Sequence, residues 1–321
     1  MIHPDLPAGA SPEQMSFAVA QKTQAFVAKT QPALIHVLDL QSASAAVIGT
    51  RGRVPVIVEP GATPAQLMRS RSEKIAPVQL KDLVRLEDRT LGKAYAVIAQ
   101  NHLEAATLTK RGVDLDRVHV GVPGVTLNES FGPLPDLPAL ATFVTGEPER
   151  DLSLLNAALL RLKHTWRLVV FYAAHCLPSQ DRYAQFDPEI RDFVEFVSFE
   201  PGWEHRLKGV KVCVAASPIT RPIDAGSWCP ESVYTGMNLG RPIIAPDHPT
   251  IRSHAGPAPV YFRPDDASAL ASAIDTVLRT PGECQDAMVR VNRQARLLDW
   301  SQSNMLLDAL WSSILMGEGS I

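Results

Sequence analysis

Short apolar runs alternate with longer amphipathic stretches from about residue 33 to the end of the chain. ALIHVLD (33–39) and VPVIVEP (54–60) are apolar and rich in β-branched residues, which is typical of buried strands. The stretch between them, SASAAVIGTRG, suits a helix closed by glycine, and another helix is predicted from Ser11 to about Lys29. The first part of the chain therefore predicts a β-α-β arrangement.

The same pattern recurs over residues 79–123. A helical pattern in QLKDLVRLEDRTLGKA leads to the apolar run AVIA, and a second one in NHLEAATLTKRG leads to RVHVGVP. Asn101 and Glu104 have the spacing of a capping box, which predicts the beginning of a helix. Because consecutive buried strands are joined by helices, we expect a parallel sheet that is covered on both faces.

A proline-rich segment between Val122 and Leu140 interrupts this pattern. It contains four prolines and scattered glycines without periodicity, which indicates a linker. Beyond it the pattern resumes, and residues 236–274 indicate a helix end, a glycine, a buried strand, a proline turn, a second strand, an acidic cap and a helix. From about Pro281 onward, two final helices are predicted, with Trp300 between them.

The composition is that of a globular protein large enough for two domains. The 321 residues are 45% hydrophobic and 20% charged, and the formal net charge is −3. No run of like charges stands out, which argues against nucleic acid as a partner. The start MIHPDLPAGASPEQ lacks a signal-peptide pattern, and no apolar run approaches ~18 residues. We therefore expect a cytoplasmic protein without a transmembrane segment, at most peripheral to a membrane.

The cysteines and histidines do not have the spacing of a metal site. The four cysteines are far apart, without a CxxC pair, and are predicted to be buried free thiols: Cys176, Cys213, Cys229 and Cys284. His248 and His254 flank the proline turn, and the sequence offers no third ligand beside them. We therefore predict neither a metal site nor a disulfide framework.

Three stretches resemble family 4 glycosyltransferases, which have the GT-B fold. AYAVIAQNHLEAATLTKRGVDLDRVHVGVPGVT (94–126) resembles the end of their first domain. GRPIIAPDHPTIRSHAGPAPVYFRPDDASALASAI (240–274) resembles their donor domain, and RLLDWSQSNMLLDALWSSIL (296–315) looks like their closing helix. The resemblance implies transfer of a sugar from a nucleotide sugar to an acceptor with retention of configuration, and no metal or other cofactor.

This resemblance implies an α/β fold of two Rossmann-like domains, of which the first is truncated. The expected parts are a truncated acceptor-side domain (1–125), a proline-rich linker (126–140), a donor-side domain (141–298) and a C-terminal helix (299–321) that packs back on the first domain. Family members begin with a strand, a glycine-rich loop and further β-α units, which we do not find here. The ligand is expected in the cleft between the domains, outside the carboxyl ends of the strands.

The family binds the diphosphate with a lysine just before the first helix of the donor domain. The corresponding residue here is Arg150, and an arginine can clamp a phosphate with two hydrogen bonds. A surface arginine in the first turn of the helix is the alternative interpretation. The companion arginine of the family is not found, since Gly146 is followed by Glu147.

The family also has two glutamates eight residues apart before the helix that precedes GRP. The same count lands on Ser227 and Thr235, which are not acids. Glu231 and Asp224 lie nearby, and a shifted loop could present either carboxylate, although Glu231 also suits the first turn of a helix after a proline. The start of this helix could receive a phosphate on its N–H groups, and Arg221 could add a charge.

The first domain departs further from the family. Gly61 stands where the family has a histidine near the sugar, and Leu38 replaces the second histidine of a pair that begins with His36. We therefore assign His36 no role. Asp114 and Asp116 form a DxD pattern, which binds a metal in a different glycosyltransferase fold, but their surroundings favour a turn.

Two functions of different classes remain open from the sequence. The first is a glycosyltransferase that binds a nucleotide sugar, and the second is a catalytically inactive glycosyltransferase-like subunit that acts as a scaffold or partner. A truncated sheet exposes an edge strand near ALIHVLD, and such edges are usually covered. We therefore predict that the N-terminal arm, a second copy of the chain or a different protein covers this edge.

Overall fold

The computed structural model describes residues 12–70, 77–121, 123–127, 134–146, 149–177, 182–217 and 228–317. These residues form two compact units. The first unit contains residues 12–121, 228 and 303–317, and the second contains residues 123–217 and 229–302. Each unit is built around its own parallel sheet.

The elements of the first unit alternate as the sequence predicts. They are α1 (Pro12–Thr30), β1 (Ile35–Val37), α2 (Leu40–Thr50), β2 (Val56–Val58), α3 (Pro64–Ser70), α4 (Pro77–Lys93), β3 (Ala96–Ala99), α5 (His102–Lys110) and β4 (Val118–Val120). The elements of the second unit follow, and the last helix returns to the first unit from Ser303 onward. They are β5 (Ala139–Val144), α6 (Ser153–Leu159), β6 (Arg167–Tyr172), β7 (Val194–Ser198), β8 (Val212–Val214), α7 (Glu231–Leu239), β9 (Ile243–Pro246), α8 (Pro249–Ala255), β10 (Val260–Phe262), α9 (Ala267–Arg279), α10 (Pro281–Leu297) and α11 (Trp300–Leu315).

The first unit has a four-stranded parallel sheet in the order β1-β2-β3-β4. One face packs on α2 and α4 through a core that includes Leu40, Val58 and Leu91. On the other face, Ile57 and other sheet residues pack against Leu310 and its neighbours on α11. Because β1 pairs only with β2 among the described residues, it is one edge of this sheet.

The second unit has a six-stranded parallel sheet in the order β10-β9-β8-β5-β6-β7. From β5 the chain builds β6 and β7 on one side and then returns to build β8, β9 and β10 on the other. The strand order therefore reverses between β5 and β8. In open parallel sheets, this reversal opens a crevice at the carboxyl ends of the two strands, where ligands bind.

The fold class predicted from the sequence is confirmed, with four local differences. The predicted proline turn after β9 contains a short helix, α8, and helix α3 was not predicted. The alternation of strands and helices that resumes after the linker implies a helix between β6 and β7, but the described residues there form short 3-10 turns. Helix α2 ends with Arg51 in the left-handed conformation, and the expected glycine, Gly52, comes one residue later.

Three smaller predictions are also confirmed, for the cysteines, for the turn at Asp114 and Asp116, and for the Asp266 cap. All four cysteines are free and buried. Asp114 and Asp116 lie at a 3-10 turn, where the Asp114 carboxylate pairs with Arg117. Asp266 caps α9 by accepting hydrogen bonds from the N–H groups of Ser268 and Ala269. Among the described residues, no helix is both long enough and apolar enough to cross a membrane.

Gly236 lies where α7 packs closely on the sheet, and we expect Gly236→Ala to destabilise the protein. A methyl group would overlap Cγ1 of Ile243 and lie 3.2 Å from Cβ of Cys213, and both side chains are buried. Overpacking of this kind costs about 1–3 kcal/mol of unfolding free energy. Urea unfolding followed by circular dichroism measures the change.

The control for this variant is Gly92→Ala near the end of α4. A methyl group at Gly92 would have open space within 4 Å. Since alanine is the better helix former, the control is expected to gain about 0.5–1 kcal/mol. A Gly236→Ala protein as stable as the wild type would show that α7 can move away from β9 at little cost.

Candidate functional site

The candidate site lies at the carboxyl ends of β5 and β8 in the second unit, where the strand order reverses. Thr145 and Gly146 follow β5, and Ala215 to Ser217 follow β8. Helix α7 begins at Glu231, beside these strand ends, because the buried hydroxyl of Ser232 accepts a hydrogen bond of 3.2 Å from the N–H of Phe143 on β5. The elements that border the crevice are thus bonded to one another.

Glu149 joins the two sides of this crevice. Its side chain is only 3% exposed. One carboxylate oxygen accepts hydrogen bonds of 2.7 Å from both the N–H and the hydroxyl of Thr145. The other oxygen accepts a hydrogen bond of 2.8 Å from the N–H of Glu231. The residue therefore ties the loop after β5 to the first turn of α7.

Glu231 and Thr235 lie one helical turn apart on α7. The hydroxyl of Thr235 donates a hydrogen bond of 2.8 Å to a carboxylate oxygen of Glu231. The resemblance to family 4 glycosyltransferases implies an acid at the position of Thr235. The structure thus places the carboxylate of Glu231, one turn earlier in the helix, against the side chain of Thr235.

Burial changes the acidity of both glutamates. Desolvation raises the pKa of Glu149 despite the hydrogen bonds it accepts. Desolvation also raises the pKa of Glu231, and the nearby charge of Glu149 raises it further. The two carboxyl groups therefore hold protons more tightly than exposed glutamates, and the crevice carries less negative charge than two free carboxylates would give it.

Of the other residues predicted for the donor site, the structure describes only Arg150. Arg150 is exposed and directly follows Glu149, so the bonds of Glu149 fix the backbone from which its guanidinium extends. Arg221, Asp224 and Ser227 lie outside the described residues. The structure therefore brings Glu231 and Thr235 together beside Glu149, and it neither supports nor opposes the other three assignments.

A second polar group lies around α8. His248 caps this helix by accepting from the N–H of Thr250, and desolvation lowers the pKa of His248. Nδ1 of the buried His254 lies 2.7 Å from the hydroxyl of Tyr234 on α7, which joins α7 to α8. The two histidines thus lie at opposite ends of one helix. The described residues contain no group of three or more His, Cys, Asp or Glu side chains that could hold a metal ion.

In the first unit, the carboxyl ends of β1 and β2 carry a histidine and a glutamate in contact. Nε2 of His36 lies 2.9 Å from a carboxylate oxygen of Glu59, and the His36 ring packs edge-on against Trp311. His36 therefore has a structural environment that explains its presence. Gly61 lies two residues beyond Glu59 with a φ of 54°, a conformation that favours glycine.

Glu104, near the carboxyl end of β3, is a buried acid with a perturbed pKa. Its carboxylate accepts a hydrogen bond of 2.7 Å from the N–H of Gln100, and Asn101 caps the same helix. Desolvation raises the pKa of Glu104 to about 7, with a further contribution from the charge of Glu59. The capping-box spacing identified the start of this helix, but it gave no sign of the raised pKa.

Sequence reasoning missed Glu149, the residue that organises the candidate site. It precedes Arg150 and lies four residues after Thr145, in a loop that follows a predicted strand. Polar residues after the strand at which the order reverses are candidates for a site. To recognise Glu149 in this way one must know the order of the strands in the sheet, and the sequence pattern does not predict that order.

Comparisons with known proteins agree with this architecture. Residues 2–124 match a family model described as "Glycosyl transferase 4-like domain". A search of curated proteins found no match to the chain. Among solved structures, sucrose-phosphate synthase from Thermosynechococcus elongatus aligns with a TM-score of 0.74 and 18% identity over 97% of this chain and 81% of that one.

Two further structures are similar. HepE from Anabaena, solved in complex with UDP and glucose, has a TM-score of 0.71 and 15% identity over 96% of this chain and 84% of that one. A glycosyltransferase from Rickettsia africae has a TM-score of 0.66 and 14% identity over 98% of this chain and 84% of that one. At these identities, the likeness shows a shared fold, which is GT-B.

Proposed function

Because residues 2–124 match a glycosyl transferase 4-like domain and the whole chain has the GT-B fold, we propose that the protein binds a nucleotide sugar and transfers the sugar to an acceptor. The nucleotide sugar is the substrate, and no cofactor is required. HepE, which shares the fold, has been solved with UDP and with UDP-glucose. The cytoplasmic location stays a prediction from the sequence.

The observation that supports this proposal is the bonded group of Glu149, Glu231 and Thr235 at the strand-order reversal. Carboxylate and hydroxyl groups can bind the hydroxyls of a sugar or of a ribose. Burial keeps these groups in place before the ligand arrives, which lowers the cost of binding. We therefore assign Glu231 and Thr235 to the hydroxyl groups of the donor.

The diphosphate is assigned to Arg150. The first N–H of α7 already donates to the Glu149 carboxylate, so a phosphate cannot use that N–H without displacing a buried acid. Arg150 directly follows Glu149, whose carboxylate is bonded to this helix start, and its guanidinium can supply the positive charge that a diphosphate needs. Arg221, Asp224 and Ser227 stay predicted donor-site residues, and Gly61 stays a predicted residue of the first unit that faces the sugar.

Calorimetric titration with UDP, GDP and ADP, and with their common sugar conjugates, tests the proposal. We expect one nucleotide to bind the wild type with micromolar affinity. In Arg150→Ala, the dissociation constant of that nucleotide is expected to rise about 10- to 100-fold, because a charge-assisted contact is lost. The nucleotide that binds identifies the preferred base, since none of the residues assigned above contacts the base.

Arg167→Ala is the matched control. Arg167 is an exposed arginine of the same unit, but it lies at the amino end of β6, opposite to the candidate site. We expect its removal to leave nucleotide affinity unchanged. Equal affinity of Arg150→Ala and wild type would contradict the diphosphate assignment, and an absence of binding by every nucleotide would contradict the proposed function.

The inactive-subunit alternative is favoured by one observation, namely that Thr235 and Gly61 replace an acid and a histidine of the family. The two alternatives differ in turnover. A glycosyltransferase releases the nucleotide and transfers the sugar when an acceptor is present, whereas an inactive subunit binds the donor without consuming it or does not bind it at all. Chromatography that measures the free nucleotide released from the sugar conjugate distinguishes the glycosyltransferase from the inactive subunit.

A further inference from the structure

The first unit contains a cavity of about 800 Å³ at the amino ends of its strands. Residues at the starts of β2, β3 and β4 line it, and the end of α2 and one side of α11 complete the wall. Small-molecule sites typically have volumes of about 300–1,000 Å³. The cavity is separate from the candidate site, which lies at the carboxyl ends of strands in the second unit.

One part of the cavity wall is apolar. It is formed by Val47 on α2, Val54 and Val56 at the start of β2, and Leu310 on α11. Val54, Val56 and Leu310 are at most 8% exposed, so they form a fixed floor. Because these side chains expose little surface of their own, an apolar ligand body against them would gain free energy mainly by removing its own surface from water.

Charged side chains line the rest of the cavity, and the three cations Arg51, Lys93 and Arg117 outnumber the one carboxylate, Asp116. Arg51 and Lys93 are exposed, and neither side chain makes a hydrogen bond or ion pair in the described part of the chain. Arg117 also lines the cavity, but its guanidinium is engaged by the carbonyls of Gly92 and Ala94 and by Asp114. Arg51 and Lys93 therefore remain available to an anion from solvent.

Two polar rings add hydrogen-bonding groups. The hydroxyl of Tyr95 and the imidazole of His119 both line the cavity, and neither side chain has a hydrogen-bond partner among the residues that the structure describes. Desolvation lowers the pKa of His119, which favours the neutral ring, and a neutral imidazole can both donate and accept a hydrogen bond. The cavity thus combines an apolar floor with cationic and neutral polar groups near solvent.

The backbone at Arg51 supports a functional role. Arg51 ends α2 with a φ of 53° and a ψ of 36°, a left-handed conformation that glycine usually takes. An arginine in this conformation costs of order 1 kcal/mol, and such strain clusters at binding sites. A glycine at position 51 would adopt this conformation without that cost. The arginine therefore places a charge at the cavity at some expense of stability.

We propose that this cavity binds an amphipathic organic anion, in which a carboxylate, sulfonate or phosphate group contacts Arg51 and Lys93 and an apolar or aromatic body covers Val54, Val56 and Leu310. This site is distinct from the nucleotide-sugar site and does not depend on the proposed function. The anion could be a free small molecule or the headgroup and first methylenes of a lipid.

Fluorescence titration with 8-anilinonaphthalene-1-sulfonate, a sulfonate with an aromatic body, tests this proposal. We expect one saturable site in the wild type. The double variant Arg51→Gln/Lys93→Gln is expected to weaken the affinity at least tenfold, because both charges that hold the sulfonate are lost. The second variant, Val47→Phe, fills the cavity without a change of charge and is also expected to weaken binding.

The matched control is Lys81→Gln/Arg89→Gln, which removes two exposed charges of α4 outside the cavity. We expect this control to bind the probe as the wild type does. Circular dichroism and thermal melting verify that each variant is folded, and nucleotide affinity is expected to stay unchanged in all of them. Probe binding that survives both cavity variants, or that is absent in the wild type, would overturn the proposal.

Competition distinguishes the two sources of the anion. Displacement of the probe by octanoate indicates a free organic anion. Displacement by vesicles of phosphatidylcholine with phosphatidylglycerol, together with sedimentation of the protein with those vesicles, indicates a lipid. Displacement by neither would overturn the proposal, because no natural source of such an anion would then compete with the probe for the cavity.

Discussion

Replacement of Glu149 by alanine is expected to lower the unfolding free energy of the second unit by about 3 kcal/mol. Three donors lose their acceptor: the N–H of Thr145, the hydroxyl of Thr145 and the N–H of Glu231. A donor left without a partner in a buried place costs about 1–3 kcal/mol. Thr145 is exposed, so water takes over part of its two bonds, and relief of the desolvated carboxyl offsets a further part of the sum. The same change frees the start of α7 from the loop that carries Arg150.

Urea unfolding measures the stability, and hydrogen exchange of the Glu231 and Thr145 amides reports the local bonds. Both amides are expected to lose protection. Glu149→Gln is expected to be intermediate, since its amide has one acceptor oxygen while its NH2 group must face a donor. Glu204→Ala, at an exposed acid of the same unit, is the control and should be near neutral. A Glu149→Ala protein as stable as this control would contradict the role assigned to Glu149.

Much of the fold was predictable because its signals are local. Buried parallel strands such as β6 and β9 are continuous apolar runs, and helices such as α5 and α9 begin at Asn101 and Asp266, whose side chains cap them in the structure. The prediction failed at α8, where the proline of PDHPT was assigned to a turn. Proline also suits the first turn of a helix, and the chain uses Pro249 in this way.

The candidate site was predictable only in part, because its bonds join residues far apart in the sequence. Glu231 and Thr235 lie four residues apart on one helix, and both were candidates. Glu149 reaches Glu231 across 82 residues, and that contact exists only because β5 and β8 are neighbours in the sheet. The predicted cover of the β1 edge stays a prediction, since β1 pairs only with β2 in the described part of the chain.

The raised pKa of Glu104 predicts a pH dependence of stability that a single substitution removes. Its pKa is about 7 in the folded protein, where burial favours the neutral acid, against an ordinary value near 4.5 in the unfolded chain. The native state therefore binds more protons between these values, and stability falls as the pH rises through this window. The contribution of Glu104 is fully present below pH 4.5 and is lost above pH 7, with a total of about 3 kcal/mol.

Glu104→Gln keeps an oxygen for the N–H of Gln100 but cannot ionise. We expect this variant to match the wild type at pH 4.5 and to exceed its stability at pH 8 by up to about 3 kcal/mol. Glu149 and Glu231, whose pKa values burial also raises, contribute to the pH dependence of both proteins, so the difference between the variant and the wild type isolates Glu104. The control is Asp116→Asn, at an exposed acid of the same unit. Its stability should differ little from that of the wild type at either pH. Parallel stability curves of Glu104→Gln and wild type from pH 4.5 to 8 would show that Glu104 ionises in the folded protein as easily as in the unfolded chain.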